Sequence, residues 1–138
     1  MLLNPYINFR DQAREAMEFY RTVFGGELTV TTFSDFNFAQ TPEDEDLVMH
    51  AQLTTDDGFT LMASDTPSHV AGATPAGFAV SVSGDDESKL ENIWNGLSTE
   101  GTVNEPFETP PWGGRFGMLT DKFGIEWMIS ANVTSDGS

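Results

Sequence analysis

Along "IEWMIS", residues 125–130, apolar and polar positions alternate: Ile125, Trp127 and Ile129 share one face of an extended strand, and Glu126, Met128 and Ser130 share the other. The run that closes on Leu119 and Thr120 reads as a partner strand, with Asp121-Lys122-Phe123-Gly124 as the tight turn between them. Similar punctuation divides the rest of the chain. "LLNPYINF" predicts a strand, and "DQAREAMEFYRTVF" a helix with Asp11 as N-cap and Ala13, Ala16, Tyr20, Val23 and Phe24 on its apolar stripe. Gly25-Gly26 stops that helix, and "ELTVTTF" alternates as a strand. "SDFNFAQTPEDED" reads as a mobile polar loop, and "LVMHAQLTTDDGFTLMAS" as a hairpin turning at Asp56-Asp57-Gly58. After a second loop, "DTPSHVAGATP", come a strand in "AGFAVSVSG" and a capped helix in "DDESKLENIWNGLSTEG" that buries Leu90, Ile93, Trp94 and Leu97. "TVNEPFE" is a weak strand and "TPPWGG" a turn before the closing hairpin, and the polar tail at 132–138 is expected to be disordered.

The order is strand, helix and three strands, twice over, and the residues repeat as well as the elements. "HAQLTTDDGFTLMAS" (50–64) lies over "FGMLTDKFGIEWMIS" (116–130) without a gap, and Leu53, Thr54, Gly58, Met62 and Ser64 meet Leu119, Thr120, Gly124, Met128 and Ser130. In the helices, Ala16, Phe19, Tyr20 and Val23 are set over Leu90, Ile93, Trp94 and Leu97. The expected class is therefore α+β: two βαβββ modules, about 2–65 and 76–131, within a single domain spanning 1–131.

Composition narrows the function. The chain has 138 residues, 38% of them hydrophobic, enough for a core. No apolar run approaches the roughly 18 residues of a membrane span, and the first residues do not read as a secretory leader. The cytoplasm is the expected compartment. With 22 acids against 6 bases and a net charge of −16, nucleic acid and anionic membranes are unsuitable partners. The charge reflects solubility or salt adaptation, or else it attracts a cationic small molecule. No cysteine is present, which removes disulfides, thiolate zinc sites and a thiol nucleophile. There is no glycine-rich loop after the first strand and no GxSxG. The acidic run Glu43–Asp46 lacks the spacing of a calcium loop.

Paired βαβββ modules resemble the vicinal-oxygen-chelate superfamily of glyoxalase I, extradiol dioxygenases and bleomycin-resistance proteins. "NPYINFRDQAREAMEFYRTVFGGEL", "LVMHAQL", "TLMASD" and "WGGRFGMLTDKFGIEWMIS" are similar to its PhnB-like branch, over Leu3 to about Ala131. The resemblance implies a cup-shaped curved mixed sheet with helices outside and a ligand cavity on the concave face. It also implies metal ligands, mostly histidine and glutamate, on the first and last strands of each module. Here those positions fall at Asn4 or Pro5, Met62, Gly77 or Phe78, and Met128. None is a histidine or a carboxylate, and thioethers suit soft copper(I) rather than zinc, nickel or iron(II). Glu126 does not compensate, because turning it inward on the strand would turn Trp127 out.

In the first hairpin, alternation sends Leu47, Met49, Ala51, Leu53, Phe59, Leu61 and Ala63 to the core. It leaves Val48, His50, Gln52, Thr54, Thr60, Met62 and Ser64 toward the cavity. With the repeat, the expected ligand-binding set is Asn8, His50, Gln52, Met62, Phe116 and Met128, with Trp112 as a lid or a dimer contact. No metal ligand and no cofactor is expected. His50 is the one catalytic candidate, set against a satisfied, partly buried imidazole; His69 is expected in solvent. Arg115 either anchors a ligand carboxylate or pairs with a surface acid. The expected function is a metal-free binder of a small organic molecule, cationic or apolar. The alternative is a glyoxalase- or dioxygenase-type enzyme using His50 as base or as a non-standard metal ligand. A homodimer is expected, both from the resemblance and from the aromatic surplus of Tyr6, Phe33, Phe36 and Trp112.

Overall fold

A computed structural model of the chain describes residues 1–36, 39, 42–67, 76–111 and 113–132. It divides into two units, Met1–Pro75 and Ala76–Ser138, each with its own sheet and helix. His69, Trp112 and the tail beyond 132 lie outside the described residues.

In the first unit, β1 (Tyr6–Phe9) leads into α1 (Ala13–Phe24), and β2 (Glu27–Thr32), β3 (Val48–Thr54) and β4 (Thr60–Asp65) follow. The sheet order is β1-β4-β3-β2, with β1 parallel to β4 and the other pairs antiparallel. The second unit repeats this with β5 (Ala79–Gly84), α2 (Glu87–Ser98), β6 (Thr102–Glu108), β7 (Arg115–Thr120) and β8 (Glu126–Ala131), in the order β5-β8-β7-β6. Two mixed four-stranded sheets, each carrying one helix, make this the expected α+β class.

Each helix covers one face of its sheet. Ala13, Ala16, Met17, Tyr20 and Phe24 of α1 are buried with Ile7, Phe9, Ala51, Leu53, Leu61 and Ala63. In the second unit Leu90, Ile93, Trp94 and Leu97 are buried with Leu119, Trp127 and Ile129. The two helices are equally long, so Ala16 and Tyr20 of α1 fall over Leu90 and Trp94 of α2, as the repeat predicts. Phe19 and Val23 are only half-buried, and Met17 and Phe24 complete the buried stripe of α1. Both modules need a glycine where the chain leaves the helix. A Cβ on Gly26, at φ +109°, would run into the Thr54 carbonyl, and one on Gly101 would meet Thr120 O at 2.5 Å.

Three local expectations are corrected. Asp11 does not cap α1: it sits in the left-handed region at φ 64°, and the cap residue Gln12 makes no side-chain bond. The first helical amide is served instead from the neighbouring strand β4, where Ala13 N donates to Asp65 Oδ1 at 2.9 Å. Val48 N donates to the other oxygen of Asp65 at 3.0 Å, so one buried carboxylate joins helix and sheet. By contrast, Asp86 caps α2 locally, accepting from Lys89 N at 3.1 Å.

The second correction concerns the start of β3. Val48, expected toward the cavity, is buried, while Leu47 and Met49 are half-buried. The cause is a β-bulge: Thr31 pairs with His50 but Thr32 with Val48, which leaves Met49 as the extra residue and resets the alternation. Third, the described part of the loop after β2 contains short elements that its sequence does not announce. It holds short 3₁₀ turns at Ser34–Phe36 and Pro42–Asp44, is tied by Phe33 N to Leu47 O at 3.1 Å, and buries Asp44.

Candidate functional site

Beyond the bulge, the hairpin faces follow the expected alternation. Ala51, Leu53, Leu61 and Ala63 are buried beneath α1, whereas His50, Gln52, Met62 and Ser64 lie half-buried on the opposite, helix-free face. Tyr6, Met62, Gln52 and Thr29 stand level in one row across the four strands of the first unit. Tyr6 Oη lies 3.3 Å from His50 Nδ1, with the two rings 5.7 Å apart and tilted by 35°. Asn8 is level with Ser64, whose Oγ donates to Asn8 Oδ1 at 3.1 Å. The first unit thus gathers Asn8, His50, Gln52 and Met62 on one surface.

The second unit carries an equivalent surface of different chemistry. Ser81, Met128, Met118 and Glu105 form the row that matches Tyr6–Met62–Gln52–Thr29. Ser83, Ser130, Phe116 and Glu108 form the next. Met118, Met128 and Phe116 are half-buried, and Trp127 and Ile129 between them are fully buried on the helix side. Phe116 and Met128 therefore share this surface, while Trp112 lies outside the described residues.

Sequence reasoning takes Tyr6 only as an interface aromatic. A signal that places it beside His50 is nevertheless present: it stands two residues before Asn8 on the same strand, so alternation gives both one face. Arg115 belongs to the helix side. Its guanidinium lies 4.1 Å from the centre of the Phe107 ring, donates to Phe107 O at 3.0 Å and meets Glu87 and Glu91 at 3.6 Å each. It pairs with surface acids, as the second of the two readings held, and binds α2 to the bulged β6.

Metal chemistry can be tested on the donor set alone. The first-strand residues level with Met62 and Met128 are Tyr6 and Ser81. Asn4 and Pro5, like Gly77 and Phe78, precede the strands, and Pro5 lends its carbonyl to Met62 N at 3.0 Å. Neither pair, a phenol with a thioether in the first unit or a hydroxyl with a thioether in the second, fits zinc, nickel or iron(II), which take imidazole and carboxylate. Among the described residues, no group of three His, Asp or Glu side chains is placed to hold a metal ion.

Among solved structures, the chain is similar to PA1353 of Pseudomonas aeruginosa, at 32% identity and a TM-score of 0.80, covering 95% of this chain and 97% of that one. It is also similar to a PhnB protein of Bacillus cereus, at 25% identity and a TM-score of 0.74, covering 95% and 99%. Protein YjdN of Escherichia coli K12 is 23% identical, over 94% of this chain and 95% of its own. The profile of the Glyoxalase/Bleomycin resistance protein/Dioxygenase superfamily matches residues 3–129. With that match over most of its length, two βαβββ units and a PhnB protein among its structural neighbours, the chain belongs to the glyoxalase/bleomycin resistance protein/dioxygenase superfamily.

Proposed function

We propose that the protein is a metal-free binder of a small organic molecule. The observation that carries this reading is the pair Met62 and Met128, at equivalent places in the two modules, with Tyr6 and Ser81 level with them. Thioethers adapt to irregular apolar shapes, and with Phe116 and Met118 they give surfaces suited to organic contact. The Tyr6–His50 pair supports binding over turnover: His50 has a phenol at Nδ1 and not the carboxylate that would orient a general base.

Native mass spectrometry of protein purified without denaturant tests the proposal. A co-purifying organic mass is expected; turnover of a 2-oxoaldehyde adduct or a catechol by purified protein would replace the binder with an enzyme. We also propose a homodimer, supported by the exposure of Leu2, Leu3, Tyr6 and Phe78. At −16 per chain its interface needs an apolar centre to outweigh repulsion. Sedimentation at micromolar concentration that shows only a 15.1 kDa species would exclude it. The cytoplasm is the compartment we assign, to be read by cell fractionation; among the described residues no helix is long and apolar enough to cross a membrane.

A further inference from the structure

On the helix-free face of the first unit, hydrogen-bonding groups are committed unevenly. The Asn8 carbonyl is taken by Ser64 Oγ, which leaves the Asn8 amide hydrogens as donors. The Tyr6 hydroxyl, 3.3 Å from His50 Nδ1, is placed to donate to it when the imidazole is the Nε2–H tautomer, which is also the form that free imidazole side chains prefer. Gln52, two residues along the strand, is half-buried, and its side chain makes no hydrogen bond among the described residues. Three N–H donors, from Asn8, His50 and Gln52, are thus left over around the Met62 thioether.

Charge is nearly absent from the strands that make this surface. The strands of the first unit contain no lysine or arginine. Their only acids are Asp65, buried on the helix side and bonded to Ala13 N and Val48 N, and Glu27 at the far end of β2 beside Thr54. A cationic head would find donors where it needs acceptors. A carboxylate would find no countercharge on these strands and would face a chain of net charge −16. An uncharged carbonyl oxygen meets neither objection and accepts from any of the three donors.

We infer that Asn8, His50 and Gln52 form a recognition site for the neutral carbonyl group of an amide, ketone or lactone ligand, with Tyr6 as the positioning residue that holds the His50 tautomer. This rests on the reading of the protein as a small-molecule binder and names the chemical class that one of its surfaces takes.

Nitrogen-15 NMR on the intact protein tests both parts. The ligand-free protein shows His50 as the Nε2–H tautomer, and Tyr6→Phe loosens that preference; an unchanged tautomer in folded Tyr6→Phe overturns the positioning role. Benzamide, benzoate and benzylammonium are then titrated separately to millimolar concentration. Benzamide perturbs the Asn8 and Gln52 side-chain amides and the His50 ring, and Gln52→Met, which keeps the shape and removes the donor, weakens it about tenfold. Preference of this surface for benzoate or benzylammonium, or binding of none of the three, overturns the inference. Benzamide that perturbs only Met118 and Met128 also overturns it, while leaving the small-molecule reading intact.

Discussion

Asp121 gives the sharpest test of how the second unit holds its binding surface in place. Its carboxylate is 3% exposed. One oxygen accepts from Phe123 N at 2.8 Å and Ile125 N at 3.0 Å, and the other accepts from the indole Nε1 of Trp127 at 2.9 Å. The turn between β7 and β8 and the largest buried side chain of the sheet are thus fixed by one group, and with them the register that puts Met128 on the helix-free face. Asp121→Ala leaves two buried donors, Ile125 N and the indole, without this acceptor, while water can reach the part-buried Phe123 N. At about 1–3 kcal/mol for each of the two buried donors, the loss is roughly 2–6 kcal/mol. That corresponds to a fall in Tm of about 6–25 °C for a chain of this size. Asp121→Asn keeps an oxygen for the turn but presents its NH₂ to the indole N–H, so about half the loss is expected. In a Trp127→Phe background the cost of Asp121→Asn shrinks, because the indole donor is gone. Thermal and urea unfolding followed by circular dichroism measure each of these proteins. An Asp121→Ala variant melting within about 2 °C of the wild type would refute the reasoning. So would an asparagine cost that Trp127→Phe leaves unchanged.

Asp65→Ala strips the acceptor from both Ala13 N and Val48 N, and should cost about 2–4 kcal/mol, with hydrogen exchange accelerating at those two amides. Gly117→Ala places a Cβ 2.7 Å from the Trp94 ring and 2.8 Å from Phe107 Cα, so a loss of about 1–3 kcal/mol is expected, read in urea unfolding and tryptophan fluorescence. Raising sodium chloride from low ionic strength toward molar concentration should raise Tm, because the Debye length contracts to about 3 Å and screens the net charge of −16. A Tm that falls with salt would show that attractive pairs such as Arg115 with Glu87 and Glu91 outweigh the repulsion.

Much of this architecture is legible along the chain because the two modules carry one pattern twice. Alternation in 125–130 and 59–64 is regular, so the faces of Met62 and Met128 follow from period two alone. What sequence reasoning misplaces depends on contacts between distant residues. The bulge at Met49 exists only in the pairing of β2 with β3, and nothing local in "LVMHAQL" announces it. The cap of α1 comes from Asp65, 52 positions away, which leaves Asp11 as a misleading local signal. The Tyr6–His50 contact likewise spans 44 positions, although alternation puts both side chains within reach.

The central claim is that Met62 and Met128 occupy places where a divalent metal would need imidazole or carboxylate. Elemental analysis after dialysis against dilute chelator, followed by readdition of nickel, zinc, manganese and iron(II) and a second dialysis, tests it directly. The account predicts that none is retained stoichiometrically, since loosely held surface cations are lost to salt. Retention of about one equivalent of any of them, abolished by His50→Ala or Met62→Ala in a folded variant, would contradict it.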